Sequence, residues 1–210
     1  MIRVLIADDH AVVRQGLKQI LGDAPGMVVA GEATNGQEVL DRIRAETWDL
    51  VVLDISMPDR SGLDVLKEIR AERPQLPVLV LSMYPEDQYA MRVLKAGASG
   101  YLTKDSAAEE LVKAIHKVVS GGRYVSPYLA ERLAFDLGVD SSKLPHESLS
   151  DREFQVLRLI AAGKSAKEIA AELSLSAKTV STYRARLLEK MSLGTNAELI
   201  HYAIEKHLID

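Results

Sequence analysis

Short, solidly apolar runs alternate with amphipathic stretches over residues 1–121. The runs fall at Arg3–Ala7, Met27–Ala30, Leu50–Leu53, Pro77–Leu81 and Gly100–Thr103, and they carry β-branched residues. They are apolar throughout instead of alternating, as strands covered on both faces must be. Each is followed by 12–15 residues with helical spacing, such as Val13, Leu17, Ile20 and Leu21, or Val65, Leu66 and Ile69. Thr34-x-x-Gln37 and Ser106-x-x-Glu109 fit capping boxes at two helix starts. Five strands alternating with five helices predict an α/β domain doubly wound on a parallel sheet.

From Gly121-Gly122 the alternation stops. Ser126-Pro127 is placed to cap and open a short helix with the apolar stripe Leu129, Leu133 and Leu137. Gly138 to Ser148 is polar, carries Pro145 and reads as linker, so 122–147 is a linker with a short helix. The remainder, 148–210, is predicted all-helical. Ser150-x-x-Glu153 caps Asp151–Ala162, and Ser165-x-x-Glu168 caps a helix running to about Leu173. Ser174-Leu175-Ser176 turns into Ala177–Met191, and Asn196–Lys206 forms the last helix.

Composition narrows the class. With no cysteine there is no disulfide framework, iron–sulfur cluster or thiolate zinc site. The five histidines show no metal-ligand spacing. No apolar run approaches a membrane span and no signal-peptide pattern opens the chain, so a cytoplasmic location is expected. A net charge of −4 argues against a nucleic-acid partner, but it is an average. Residues 1–147 hold 17 basic and 22 acidic groups, a balance of −5, whereas 148–210 hold 9 and 8, a balance of +1. Two domains with different partners follow.

In parallel α/β sheets, ligands bind beyond the carboxyl ends of the strands. Here those ends are Asp8-Asp9, Asp54, Ser82 and Tyr101-Leu102-Thr103-Lys104. Taken singly, each has a bland reading: an Asp after a strand is commonly a helix cap, a Lys a solvated residue, a Ser part of a turn. Together at corresponding strand ends they are hard to assign to chance. Clustered carboxylates repel and either protonate or require a cation. Mg²⁺ suits such oxygen ligands and accepts phosphate oxygens. Lys104 and Ser82 complete what phosphoryl binding and transfer need. His10, next to the acid pair, is read as a helix-start residue with its ring partly exposed, ahead of a metal ligand.

Val4-Leu5-Ile6-Ala7-Asp8-Asp9-His10, Leu53-Asp54-Ile55-Ser56-Met57-Pro58, Leu81-Ser82-Met83 and Gly100-Tyr101-Leu102-Thr103-Lys104-Asp105 resemble the receiver domain of bacterial two-component response regulators. The resemblance implies a flavodoxin-like strand order, which makes strands one and three neighbours and brings Asp8, Asp9 and Asp54 together. It implies that Asp54 accepts a phosphoryl group from a sensor histidine kinase. Asp8, Asp9, Asp54 and the backbone carbonyl of Ser56 would hold Mg²⁺, and Lys104 would contact the phosphoryl group. Ser82 would swing toward that group and Tyr101 would rotate inward as a readout. Asp105 stands where many receivers carry proline.

Helix, three-residue turn, helix is the helix-turn-helix plan, whose second helix enters the DNA major groove. Ile169, Ala170 and Leu173 would pack on Val180 and Leu187–Leu188, above Val156, Leu157 and Ile160. On Ala177–Met191 that leaves Lys178, Thr179, Ser181, Thr182, Tyr183, Arg184, Ala185, Arg186 and Lys190 for bases and phosphates. Leu149–Leu157, Ser165–Ala170 and Lys178–Arg184 resemble the LuxR-type output domain, so the chain is identified as a NarL/FixJ-type response regulator. Tyr183 stands where histidine is more usual. In this family the last helix often forms the DNA-bound dimer contact, which nominates Leu199, Tyr202 and Ala203, with ordinary core packing the equal alternative.

The expected function is a phosphorylation-controlled, DNA-binding transcription factor that is not an enzyme. The unphosphorylated receiver would block the recognition helix or dimer surface; phospho-Asp54 would promote a homodimer on paired promoter half-sites about 10 bp apart. Two rival functions fit the residues less well. A haloacid-dehalogenase-like aspartyl phosphatase needs a second Asp where Ser56 stands, and a receiver with a protein-binding helical module does not explain the basic cluster at 178–190.

Overall fold

The computed structural model describes residues 1–57, 60–106, 108–127, 129–131, 144–206, 208 and 209, with residues 87, 88 and 147 described for backbone alone. The chain divides into two compact units, Met1–Phe135 and Asp136–Asp210.

In the first unit, strands β1 (Ile2–Ala7), β2 (Met27–Ala33), β3 (Leu50–Leu53), β4 (Val78–Ser82) and β5 (Gly100–Thr103) form one parallel sheet in the order β2-β1-β3-β4-β5. Helices α1 (Ala11–Gly22), α2 (Gly36–Ala45), α3 (Gly62–Glu72), α4 (Glu86–Lys95) and α5 (Ala108–Val119) alternate with the strands. Successive strand residues point to opposite faces. Val4, Ile6, Val52 and Leu79 therefore pack with Leu17, Leu21, Leu111 and Ile115 of α1 and α5. Leu5, Val51 and Val80 on the other face are equally buried, which explains the unbroken apolar runs.

One local detail differs from expectation. The cap of α2 is Asn35, not Thr34: the Asn35 side chain accepts from the Glu38 amide, and Glu38 reaches back to the Thr34 amide at 2.7 Å. The box is displaced by one residue because Asn is at least as good a cap as Thr. The Ser106 box falls against residue 107, outside the described residues. In addition, Ser126 does cap: its hydroxyl accepts from the Leu129 amide at 3.1 Å, and Leu129 is buried. Leu133 and Leu137, and most of the predicted linker, lie outside the described residues.

The second unit holds a 3-10 turn (Pro145–Ser148) and helices α6 (Asp151–Ala161), α7 (Ala166–Glu172), α8 (Ala177–Met191) and α9 (Asn196–Glu205). Complete capping boxes start α6 at Ser150, α7 at Ser165 and α9 at Thr195, and Ser176 caps α8. The turn between α7 and α8 places Ser174 in left-handed backbone at φ 53°, which redirects the chain in three residues. Ile169, Leu173, Val180, Leu187, Val156, Leu157 and Ile160 are buried as predicted, and Leu188 is half-buried. No described helix is long and apolar enough to cross a membrane.

Candidate functional site: an acid pocket and a basic helix

Sheet register builds the first site. Ala7 pairs with Leu53, and the Asp54 amide donates to the Ala7 carbonyl at 2.8 Å, so Asp8 and Asp54 leave neighbouring strands side by side. Ser82 pairs with Thr103, and the Lys104 amide donates to the Ser82 carbonyl at 2.8 Å, which places Lys104 at the same sheet edge. The Lys104 ammonium bridges Asp8 Oδ2 at 2.7 Å and Asp54 Oδ2 at 2.8 Å. The Ser56 amide donates to Asp54 Oδ1 at 3.1 Å.

Both bridged carboxylates are almost fully buried. Burial pushes the Asp54 carboxyl above its usual range, with the Asp8 charge adding to it, against the pull of Lys104 and the Ser56 amide. Burial alone would lower Lys104, but the two carboxylates outweigh it and hold the ammonium above its ordinary value. The result is an ion cluster with two more carboxylates than ammonium groups once Asp9 is counted, open to a divalent cation.

Asp9 is exposed at the rim. His10 sits at the N-cap of α1 with its side chain 63% exposed, as expected, yet its Nδ1 also lies 2.7 Å from Asp9 Oδ1 and 3.3 Å from Asp8 Oδ1. Donor atoms of Asp8, Asp9, His10 and Asp54 all fall within 4.8 Å of one another. Three hard carboxylate oxygens at that spacing fit Mg²⁺.

Ser82 and Tyr101 are not brought onto Asp54. The buried Ser82 hydroxyl accepts from the Tyr84 amide at 3.2 Å. Tyr101 already lies inward, 1% exposed, and donates its hydroxyl proton to the Tyr84 carbonyl at 2.6 Å. Tyr84 thus joins the two, and its ring stacks on Tyr89 at 4.6 Å. The described peptide bonds are all trans, including the one before Asp105.

Two residues of this site escaped the sequence reading. Tyr84 carried no signal beyond following Ser82. Gly62 did: Ser61-Gly62 is a cap followed by a glycine. A Cβ at Gly62 would meet the Asp54 carbonyl oxygen at 2.1 Å, so only glycine lets α3 begin against the phosphoacceptor candidate.

The second site is the face of α8. Lys178, Ser181, Thr182 and Ala185 are exposed and share one side, flanked by Arg184 and Arg186. Tyr183 and Thr179 are half-buried, and Thr179 pairs with the Ser176 hydroxyl at 2.8 Å. The hydroxyls of Ser181 and Thr182 donate to the Ala177 and Lys178 carbonyls of their own helix. Arg184 is exposed, and its Nε donates to Asn196 Oδ1 at 2.6 Å.

One expectation is corrected, and one pair of alternatives is decided. Lys190 does not belong to the basic face: its ammonium sits 2.7 Å from the buried Glu153 carboxylate, which would otherwise lack a cation. Leu199 and Ala203 are wholly buried within the second unit, so core packing is their role. Tyr202 is half-buried, with its hydroxyl 2.9 Å from His146 Nδ1, and the exposed apolar residue of α9 is Ile204.

A parallel five-stranded sheet presenting acid, hydroxyl and lysine at its strand ends, joined to a helix-turn-helix unit, defines a phospho-receiver with a DNA-binding output. Known proteins agree. Residues 4–116 match the response regulator receiver domain, and residues 147–203 match the bacterial regulatory proteins of the luxR family. The chain is 38% identical over 209 residues to response regulator UvrY of Escherichia coli O6:H1, covering 99% of this chain and 96% of that protein. It is 39% identical over 210 residues to response regulator GacA of Pseudomonas protegens, covering 100% and 99%. Among solved structures, RcsB of Salmonella enterica serovar Typhimurium, bound to promoter rprA in the presence of phosphomimetic BeF₃⁻, is similar. It shares 27% identity with a TM-score of 0.64 over 96% of this chain and 98% of its own. The chain belongs to the NarL/FixJ-type response regulators, a family of transcription regulators and not of dehalogenase-like phosphatases.

Proposed function

We propose that this response regulator takes a phosphoryl group on Asp54 from a sensor histidine kinase and, so modified, binds paired promoter half-sites as a homodimer. The observation that carries this reading is the Asp54 carboxylate, seated between Lys104 and the Ser56 amide beside a second buried carboxylate. An Asp54 oxygen attacks phosphorus, the bond from phosphorus to the donor's imidazole nitrogen breaks, and the imidazole leaves with a proton. An acyl phosphate remains on Asp54. Lys104 can then shift from the carboxylate to a phosphoryl oxygen, and Ser82 can exchange its Tyr84 partner for another. Asp8, Asp9, Asp54 and the Ser56 carbonyl would hold Mg²⁺, which when bound supplies neutralisation of the phosphoryl oxygens.

The modification adds about 1.5–2 negative charges next to Lys104, enough to bias a two-state element by the ~1–3 kcal/mol of ordinary allosteric coupling. On DNA, Lys178, Ser181, Thr182 and Tyr183 of α8 would face the groove, with Arg184 and Arg186 on phosphates. The outer side of α9, with Tyr202 and Ile204, would supply the dimer contact. The functional division is receiver 1–121, linker 122–147 and DNA-binding domain 148–210, in a cytoplasmic protein. The test is uptake of acetyl phosphate with Mg²⁺, followed by DNA binding. Asp54→Asn should abolish both the labelling and any gain in DNA affinity; labelling at wild-type level in that variant would overturn the assignment.

A further inference from the structure

The start of the predicted linker is attached to the switch side of the receiver. The Tyr124 amide donates to the Ser99 carbonyl at 2.9 Å, and Tyr124 forms a parallel bridge with Gly100 at the open edge of β5. A Cβ at Gly100 would meet the Tyr124 carbonyl oxygen at 2.8 Å, so the contact depends on that glycine. The Tyr124 hydroxyl donates to Glu110 of α5 at 3.2 Å, and the Lys117 ammonium lies 5.9 Å from its ring centre. Tyr124 is therefore an anchor held from four directions.

Two residues on, Ser126 works twice. Its hydroxyl donates to Glu86 Oε2 at 2.6 Å and accepts from the Leu129 amide at 3.1 Å. Glu86 is the first residue of α4, whose N-cap is Pro85, without a side-chain hydrogen bond to the helix. A helix start without a side-chain cap lacks the contact that most firmly fixes a first turn. The segment just before it is Ser82–Tyr84, where the Ser82 hydroxyl holds the Tyr84 amide and the Tyr84 carbonyl holds Tyr101.

We propose that Ser126 is a hook that carries the receiver's switch into the linker: when Ser82 turns to a phosphorylated Asp54, the start of α4 moves, Glu86 withdraws, and the helical turn capped by Ser126 loosens. The inference rests on the phosphoacceptor role of Asp54. Tyr124 stays fixed while Ser126, Leu129 and Ala130 are freed, so the linker is released from a defined point.

Hydrogen exchange of the 124–131 segment in the full chain tests this, with beryllofluoride and Mg²⁺ as the phosphoryl mimic and ¹⁹F resonance reporting the bound mimic. In the unliganded wild type, the Leu129 and Ala130 amides should exchange roughly fivefold more slowly than in Ser126→Ala, the factor expected for one lost cap. Glu86→Ala should also speed exchange, and Glu86→Gln, which keeps an acceptor, should restore most of the protection. Beryllofluoride should remove the protection in wild type and change nothing in Ser126→Ala. Equal exchange in wild type and Ser126→Ala, or bound mimic with unchanged exchange in wild type, would overturn the hook alone. Absence of a bound ¹⁹F signal would instead overturn the Asp54 assignment, and the hook's role with it.

Discussion

The acid pocket and the basic helix are built on opposite plans. Asp8, Asp54 and Lys104 come from three strands far apart in sequence, and register sets their carboxylate–ammonium distances at 2.7 and 2.8 Å. They are buried, and each has its partner before any ligand arrives. The α8 face comes from one stretch of nine residues, is exposed, and turns the hydroxyls of Ser181 and Thr182 back on their own backbone. A pocket of the first kind responds to substitution in an all-or-none way, because a buried charge left without its partner is costly. A face of the second kind responds in steps, one phosphate contact at a time.

The sharpest break in that contrast is Asp54→Asn, which should eliminate phosphoryl uptake outright while leaving non-specific DNA affinity within about twofold of wild type. Next is Lys104→Ala, which leaves Asp8 and Asp54 facing each other. Denaturant unfolding with chelator present should show a loss of about 3 kcal/mol at pH 7, much of it returned by millimolar Mg²⁺. Burial places the folded Asp54 carboxyl above its unfolded value. Its charged form is therefore penalised increasingly as pH rises from the unfolded to the folded value. The Lys104→Ala deficit should accordingly shrink at pH 4; a deficit independent of pH and Mg²⁺ would mean that the lysine acts through packing. On the basic face, Arg184→Ala and Arg186→Ala should each weaken binding to a mixed-sequence duplex and reduce the logarithmic salt slope by about 0.9. An unchanged slope would remove that residue from the phosphate contacts.

Legibility follows the same division. The strand runs were readable because two-sided burial demands unbroken apolar residues, and Asp8, Asp54 and Lys104 because each ends such a run. Gly62 and Tyr84 were obscure, since their roles are a backbone approach to Asp54 and a bridge between Ser82 and Tyr101, neither of which has a local pattern. In the second unit the boxes at Ser150 and Ser165 are legible in the sequence, being contacts three residues apart. Lys190 was misplaced for a long-range reason: its partner Glu153 lies 37 residues earlier, and a lysine on a basic helix gives no sign of it. Leu199 and Ala203 have the spacing of a helix stripe, which fits a core as well as a dimer seam.

The Lys190–Glu153 pair offers the smallest and most discriminating test, because it lies on the DNA-binding helix yet has the character of the pocket. Burial would raise the Glu153 carboxyl, but the hydrogen bonds from Lys190 and Ser150 outweigh it and hold the group below the ordinary carboxylate range. A folded value below the unfolded one stabilises the fold above the unfolded value, and that contribution is lost as pH falls through the folded one. Lys190 is 43% exposed on its side chain, so solvent screens the pair and Lys190→Ala should cost only about 1 kcal/mol at pH 7. That cost should fade as pH drops through the folded value and vanish once Glu153 is protonated in folded and unfolded chains alike. The salt slope for DNA binding should match wild type, because the ammonium is engaged inside the domain. A slope reduced by about 0.9 with stability unchanged would return Lys190 to the phosphate-contacting face and show that the ion pair opens on DNA.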